Sequence, residues 1–377
     1  MSEQTTGINA VKLDPNMAIR QVGDEPLKWL SPKDKPFHLA GFYWFEQDNK
    51  YRRLPAAPSA SLPQQVNELA NCTAGGQIRF QTNSSKLSIK VKLSGIGNMY
   101  HMAATGQCGF DCYIGEIGQQ RYCSTTRFDH TKTEYESMLF ELPTKRQQCI
   151  TLYFPLYQGV EEIWIGVDPD AEVSEVPAYI SDKRIVIYGT SITQGGCANR
   201  PGMAYPHILS RSIPLEFINL GFSGNGRGEP EVAKVISEID NPALFVLDYE
   251  ANVGTYERME ATLPEFIRIL RSKHTTTPIL VLSKIRNAAE CFSTDAENRR
   301  HRMRHIQMEI VEQLRQSGDR HVHFLDGGDL LGEDFAECTV DGIHPTDLGF
   351  HRMAHHLLPV IQNLLTDVFE TPNKQQY

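Results

Sequence analysis

The chain has 377 residues, 40% of them hydrophobic and 22% charged, an ordinary balance for a folded globular protein and enough length for two domains. A formal net charge of −9 with no long basic run excludes a nucleic-acid backbone as partner, and no stretch approaches the roughly 18 apolar residues of a membrane span. The first residues, Met1-Ser2-Glu3-Gln4-Thr5-Thr6-Gly7, carry neither a basic nor an apolar leader segment, so the expected location is the cytoplasm, and the 8 scattered cysteines read as free thiols.

From about residue 18 to 173 the texture is that of a β domain. Short segments alternate between polar and apolar, and helical periodicity is confined to Leu62 to Leu69. In Lys86-Leu87-Ser88-Ile89-Lys90-Val91-Lys92-Leu93 the alternation is strict and puts Leu87, Ile89, Val91 and Leu93 on one face of a half-buried strand. Ile150 to Phe154 and Val160 to Val167 repeat the pattern, which predicts a two-sheet sandwich over residues 1–173. The acidic, proline-bearing stretch Asp168 to Asp182 reads as a linker.

Beyond it the period changes. Apolar runs at Ile185 to Tyr188, Phe217 to Leu220, Leu244 to Leu247, Ile279 to Leu282 and Val322 to Leu325 alternate with helical stretches near 205–212, 230–238, 256–273, 296–316 and 348–365. Five strands interleaved with helices predict an α/β unit over 183–377, a parallel sheet covered on both faces. Ligands of such sheets bind outside the carboxyl ends of the strands.

Ser191 lies at such an end, in Gly189-Thr190-Ser191-Ile192, where a strand gives way to small and hydroxyl residues. A serine there is most often a helix cap, but it becomes a nucleophile when a base and a group that orients the base are within reach. Asp341 and His344, three apart in Asp341-Gly342-Ile343-His344-Pro345, are the best candidates. Gly224 and Asn252 follow the second and third strands of the same unit.

Together these stretches resemble the SGNH (GDSL-type) hydrolases. Gly189 to Ile192 is similar to that family's first block, Asn219 to Gly226 to its second, Asp248 to Asn252 to its third, and Asp341 to His344 to its last. Thr190 stands where the family name has Asp, and Glu250-Ala251-Asn252 replaces the commoner Gly-x-Asn-Asp. Gly109-Phe110-Asp111-Cys112-Tyr113 resembles the Gly-x-Asp-Leu-Tyr segment of the β domain that precedes some members, which extends the likeness to most of the chain. The resemblance implies a flavodoxin-like three-layer α/β/α unit after a jelly-roll-like sandwich. It implies Ser191 as nucleophile, His344 as base and Asp341 as its orienter, with Ser191, Gly224 and Asn252 as oxyanion donors.

The implied activity is serine-dependent hydrolysis of a carboxylic ester, with removal of a short acyl group such as acetyl from a small-molecule or oligosaccharide ester. An acyltransferase using the same residues is the nearest alternative, and a sugar-binding protein with an idle second half is a third. The chemistry needs no cofactor and no metal. His301 with His305 and His351 with His355 have i, i+4 spacing but no accompanying zinc motif, and Gly224-Asn225-Gly226-Arg227-Gly228 lacks the Lys-Ser/Thr ending of a phosphate loop. Tyr205, in the loop and helix after Ser191, and His101, in Tyr100-His101-Met102, are expected to touch substrate. Whether the chain forms a homo-oligomer is left open.

Overall fold

The computed structural model describes residues 13–19 and 26–370; the leader reading at Met1 to Gly7 lies outside them. The first half contributes β1 (Lys28–Leu30), β2 (His38–Ala40), β3 (Gln77–Thr82), β4 (Lys86–Leu93), β5 (Asp111–Ile114), β6 (Arg121–Thr125), β7 (Glu134–Glu141), β8 (Gln148–Tyr153), β9 (Val160–Val167) and β10 (Val173–Ser174). They pair antiparallel in two sheets, β1-β9-β4-β7 and β10-β3-β8-β5-β6, with β2 also on β3. Alternation does what it predicts on β4: Leu87, Ile89, Val91 and Leu93 all turn inward. They share one core with Ile78, Phe80, Ile150 and Leu152 of the other sheet.

In the second half, β11 (Arg184–Gly189), β12 (Glu216–Gly221), β13 (Pro242–Asp248), β14 (Ile279–Leu282) and β15 (Val322–Leu325) form a parallel sheet in the order β12-β11-β13-β14-β15. Between and after them run α1 (Ser191–Gln194), α2 (Tyr205–Ser210), α3 (Pro230–Ile236), α4 (Tyr256–Arg271), α5 (Thr294–Gln316) and α6 (Asp347–Leu364). Successive side chains of a strand face opposite ways, so each strand supplies two cores. Val186, Tyr188, Phe245 and Leu247 meet α3, α4 and α5 on one face. Ile185, Ile187, Leu244 and Val246 meet α2 and α6 on the other. The three-layer α/β/α unit expected from the period is therefore present.

What periodicity did not foretell is how the halves join. Trp44, Leu54, Val66 and Ala70 leave the antiparallel half and complete one core of the parallel sheet, while Ala74, Met102 and Leu156 complete the other. Arg53, fully buried, bolts this seam. Its guanidinium donates to the carbonyls of Cys72 (2.8 Å), Leu69 (2.6 Å) and Gly221, and lies over the Phe222 ring. Burial lowers its pKa to about 10, which still leaves it charged at neutral pH. A buried charge is tolerated only when its donors are satisfied, here by the carbonyl ends of the two halves.

The acidic stretch between the halves is not a free linker. Its start pairs with β3, the Pro177 carbonyl accepts from Arg79 at 3.3 Å, and Tyr179 packs under the Arg79 guanidinium at 4.1 Å. Among the described residues no helix is long and apolar enough to cross a membrane.

Candidate active site

The register of β11, β12 and β13 aligns Gly189, Gly221 and Asp248 at the carboxyl edge of the sheet. Gly189 must lack a side chain, because a Cβ there would lie 2.0 Å from Thr193 Oγ1 and 2.6 Å from the Asp248 carbonyl oxygen. The chain turns into α1 with Thr190 as its cap, whose Oγ1 accepts the Ile192 N–H at 3.3 Å. Ser191 is thus the first helical residue, and its own N–H belongs to the first turn, which has no acceptor within the helix.

His344 Nε2 lies 2.8 Å from Ser191 Oγ, and His344 Nδ1 lies 2.7 Å from Asp341 Oδ2. The turn that carries them is built to be stiff. The Val340 N–H donates to the His344 carbonyl at 2.8 Å, Thr339 bridges to Pro345, and the Ala288 N–H donates to the Gly342 carbonyl at 2.8 Å. Asp341 Oδ1 accepts the N–H groups of His344 (2.8 Å) and Ile343 (3.0 Å). Burial works against ionisation of Asp341, but these N–H groups and the His344 ring outweigh it and hold the carboxyl down to about 2.

Gly224 takes the left-handed backbone, φ +69°, in the loop after β12. With the Asn252 amide oriented to satisfy its neighbours, Oδ1 accepts the N–H groups of Gly224 and Asn225 at 3.2 Å each. Gly224 and Asn252 are therefore adjacent, as Ser191, His344 and Asp341 are. Gln194 ties this loop to α1, accepting the Ser223 N–H on Oε1 at 3.0 Å and donating from Nε2 to the Leu156 carbonyl at 3.0 Å.

The two other expected contacts are placed differently. Tyr205 is fully buried, its hydroxyl donating to Asp248 Oδ2 at 2.9 Å beside Thr193, so it offers no surface to a substrate; it supports the turn from beneath. His101 reaches the acid side of the site instead of the open cleft. Its Nε2 is 3.8 Å from Asp341 Oδ2, its ring meets that of His344 edge-on with centroids 5.6 Å apart, and the exposed Tyr100 stacks on it. Among the histidine pairs, His301 and His305 each lie within ion-pairing distance of a glutamate on their own helix, Glu297 (3.7 Å) and Glu309 (3.1 Å).

Contacts that no motif foretells frame the site. Buried Asp111 Oδ2 accepts from Arg200 Nη1 (2.7 Å) and from the Gly202 N–H (2.8 Å), and Arg200 also donates to the Tyr113 hydroxyl (2.7 Å) and stacks on Tyr122 (3.8 Å). The Gly-x-Asp-x-Tyr segment is thereby a clamp on the loop after the serine. Gln107 Oε1 accepts the N–H groups of Asn98 (2.9 Å) and Met99 (3.0 Å), and its Nε2 donates to the Met102 carbonyl (2.6 Å), which fixes the loop bearing His101. A cleft of about 500 Å³ opens between the halves beside Gly224. Ser223 and Asn225 form one wall, and the other includes Gln65, Glu68, Asn98, Met99 and Gln158. Of its walls only Ser223 and Asn225, within Asn219 to Gly226, carried a motif signal, because the rest comes from segments far apart in the chain.

Residues 182–362 match the GDSL-like lipase/acylhydrolase family, and residues 27–173 match the GxDLY N-terminus of SGNH-hydrolase-type esterases. A GDSL-like lipase from Bacteroides ovatus ATCC 8483 is 32% identical over 90% of this chain and 98% of that one, with a TM-score of 0.83. The salicylyl-acyltransferase SsfX3 of a tetracycline biosynthetic pathway shares the fold at 18% identity (92% and 98% covered, TM-score 0.70). So does a family two carbohydrate esterase from Clostridium thermocellum, solved with cellohexaose, at 14% identity (78% and 93% covered, TM-score 0.56). No curated protein sequence matches the chain. Aligned along nine-tenths of its length with a 32%-identical relative, and matched in both halves, the chain belongs to the GDSL-like lipase/acylhydrolase family and is an SGNH-type esterase.

Proposed function

We propose that the protein removes a short acyl group, acetyl foremost, from a carbohydrate hydroxyl by a serine mechanism. The observation that carries the serine chemistry is the unbroken chain from Asp341 Oδ2 through His344 to Ser191 Oγ, with links of 2.7 and 2.8 Å. Ser191 Oγ attacks the ester carbonyl while His344 Nε2 takes its proton, and ionised Asp341 stabilises the imidazolium. The oxyanion is received by the Ser191 N–H, the Asn252 amide and the Gly224 N–H, whose resting acceptor is the Asn252 carbonyl. His344 then returns the proton to the departing sugar oxygen, and water, activated by the same imidazole, releases the acid from Ser191.

Support for a carbohydrate alcohol comes from the cleft beside Gly224. Gln65, Asn98, Gln158 and Asn225 present amides, with Glu68 and Ser223 adding a carboxylate and a hydroxyl. Leu69, Met99 and Tyr157 line the same cleft, and a mixed wall of this kind offers a sugar ring both hydrogen-bond partners for its hydroxyls and apolar surface for its faces. The test is hydrolysis of p-nitrophenyl acetate and of acetylated xylo- and cello-oligosaccharides by the wild type and by Ser191→Ala. Wild-type turnover should fall on the order of 10⁴-fold or more in the variant. Undiminished turnover by Ser191→Ala would overturn the serine mechanism, and preference for butyrate over acetate together with indifference to the sugar would overturn the carbohydrate assignment.

A further inference from the structure

The two histidines at the acid side of the site have a third neighbour. Cys197, three residues beyond α1, is buried, and the ligand-capable atoms of His101, Cys197 and His344 all lie within 4.8 Å of one another. His101 contributes a ring nitrogen, Nδ1, that is buried with no hydrogen-bond partner. A buried, unsatisfied imidazole nitrogen ordinarily costs stability, so its retention beside a thiol and a second imidazole calls for an account. We propose that His101, Cys197 and His344 form a binding site for a thiophilic divalent cation of the zinc class, and that the bound cation switches the esterase off.

The donor set chooses the ion. Two imidazoles and one sulfur suit Zn²⁺ and not Mg²⁺ or Ca²⁺, which require oxygen ligands. Tetrahedral zinc with nitrogen at about 2.0 Å and sulfur at about 2.3 Å spaces its ligands roughly 3.3–3.7 Å apart. The observed separations thus close by side-chain rotation of an ångström or so. Three protein ligands leave the fourth position to a water. Binding through sulfur releases the thiol proton to solvent. The cluster spans both halves of the chain, His101 from the antiparallel half and the other two from the parallel half.

The consequence follows from which histidine is shared. His344 has two nitrogens, one bound to Ser191 and one to Asp341. A cation on either nitrogen removes the base from its serine or from its orienting acid, so occupancy and turnover exclude each other. The site itself rests on three side chains, whereas its inhibitory effect rests on the serine mechanism proposed above, and the two are tested separately.

The experiment uses the full chain with exposed Cys291 replaced by Ser, treated with chelator and desalted. Added CoCl₂ is followed by absorption, and ZnCl₂ by p-nitrophenyl acetate turnover. The expected result is a saturating thiolate-to-cobalt charge-transfer band, about one ion per chain, bleached by ZnCl₂, and zinc inhibition that a chelator reverses. Cys197→Gly suits the positive φ of +74° at this position and should fold. It should lose the band and, with unchanged metal-free turnover, need about tenfold more zinc or more for half-inhibition. His101→Gln should weaken the band. A missing band in the parent protein, or a band that persists in Cys197→Gly, overturns the site even for a protein that turns over no ester. Equal zinc sensitivity in parent and Cys197→Gly, or activation by zinc, overturns the inhibition.

Discussion

Asp248 takes two hydroxyls, Thr193 Oγ1 at 2.8 Å and Tyr205 at 2.9 Å, on a single oxygen beneath the serine turn. Burial, ahead of the opposing pull of these two bonds, pushes its carboxyl from the ordinary 3.8 up to about 7. Because the folded value is the higher one, the stability linked to this proton is complete below about pH 4 and is lost as the pH rises through 7. Urea midpoints should therefore fall between about pH 5 and pH 8 in the wild type and change less in Asp248→Asn, which keeps the neutral shape. At the proposed oxyanion loop, Asn252→Ala should lower kcat for p-nitrophenyl acetate by about 10²–10³ with little change in KM, the mark of a donor used only in the transition state. A rise in KM alone would move Asn252 to the binding of substrate.

Single elements show which parts of the chain could be read in advance. The five strands and five of the helices of the parallel half were legible because each carries its own period, and β4 because it alternates without a break. The Ser191 turn and the Asp341 to His344 turn were legible for a related reason: each is a local run of residues with a meaning of its own. The pairing of Arg200 with Asp111 was not. The loop after Ser191 and the Gly-x-Asp-x-Tyr segment each stand out, but they lie 89 residues apart and neither names the other as its partner. The worth of the pairing is testable at this scale. Arg200→Ala removes the countercharge of a fully buried carboxylate and should cost about 3–5 kcal/mol in urea unfolding. Arg200→Lys should recover only part of this, since an ammonium cannot serve Asp111 and Tyr113 with one planar group while stacking on Tyr122.

For the whole molecule, the division into 1–173 and 183–377 was read from a change of period, and periodicity reports on faces within an element, not on who covers them. The cores of the parallel sheet are closed by Trp44, Leu54, Val66, Ala70, Ala74, Met102 and Leu156, and Arg53 caps the carbonyls at the seam. Residues 183–377 expressed alone should consequently bind a hydrophobic dye and lack the sharp urea transition of the full chain. A cooperative transition and dye exclusion by that fragment would show that the second half closes its own cores.

The cleft beside Gly224 has one wall from each half, while Ser191, His344 and Asp341 all come from one. Changes at Asn98 and Met99 or in the turn before Gln65 reshape what enters without touching the three residues proposed to react. An esterase built this way can exchange one ester for another through changes on one side of the seam, while the side that carries Ser191, His344 and Asp341 is left as it is.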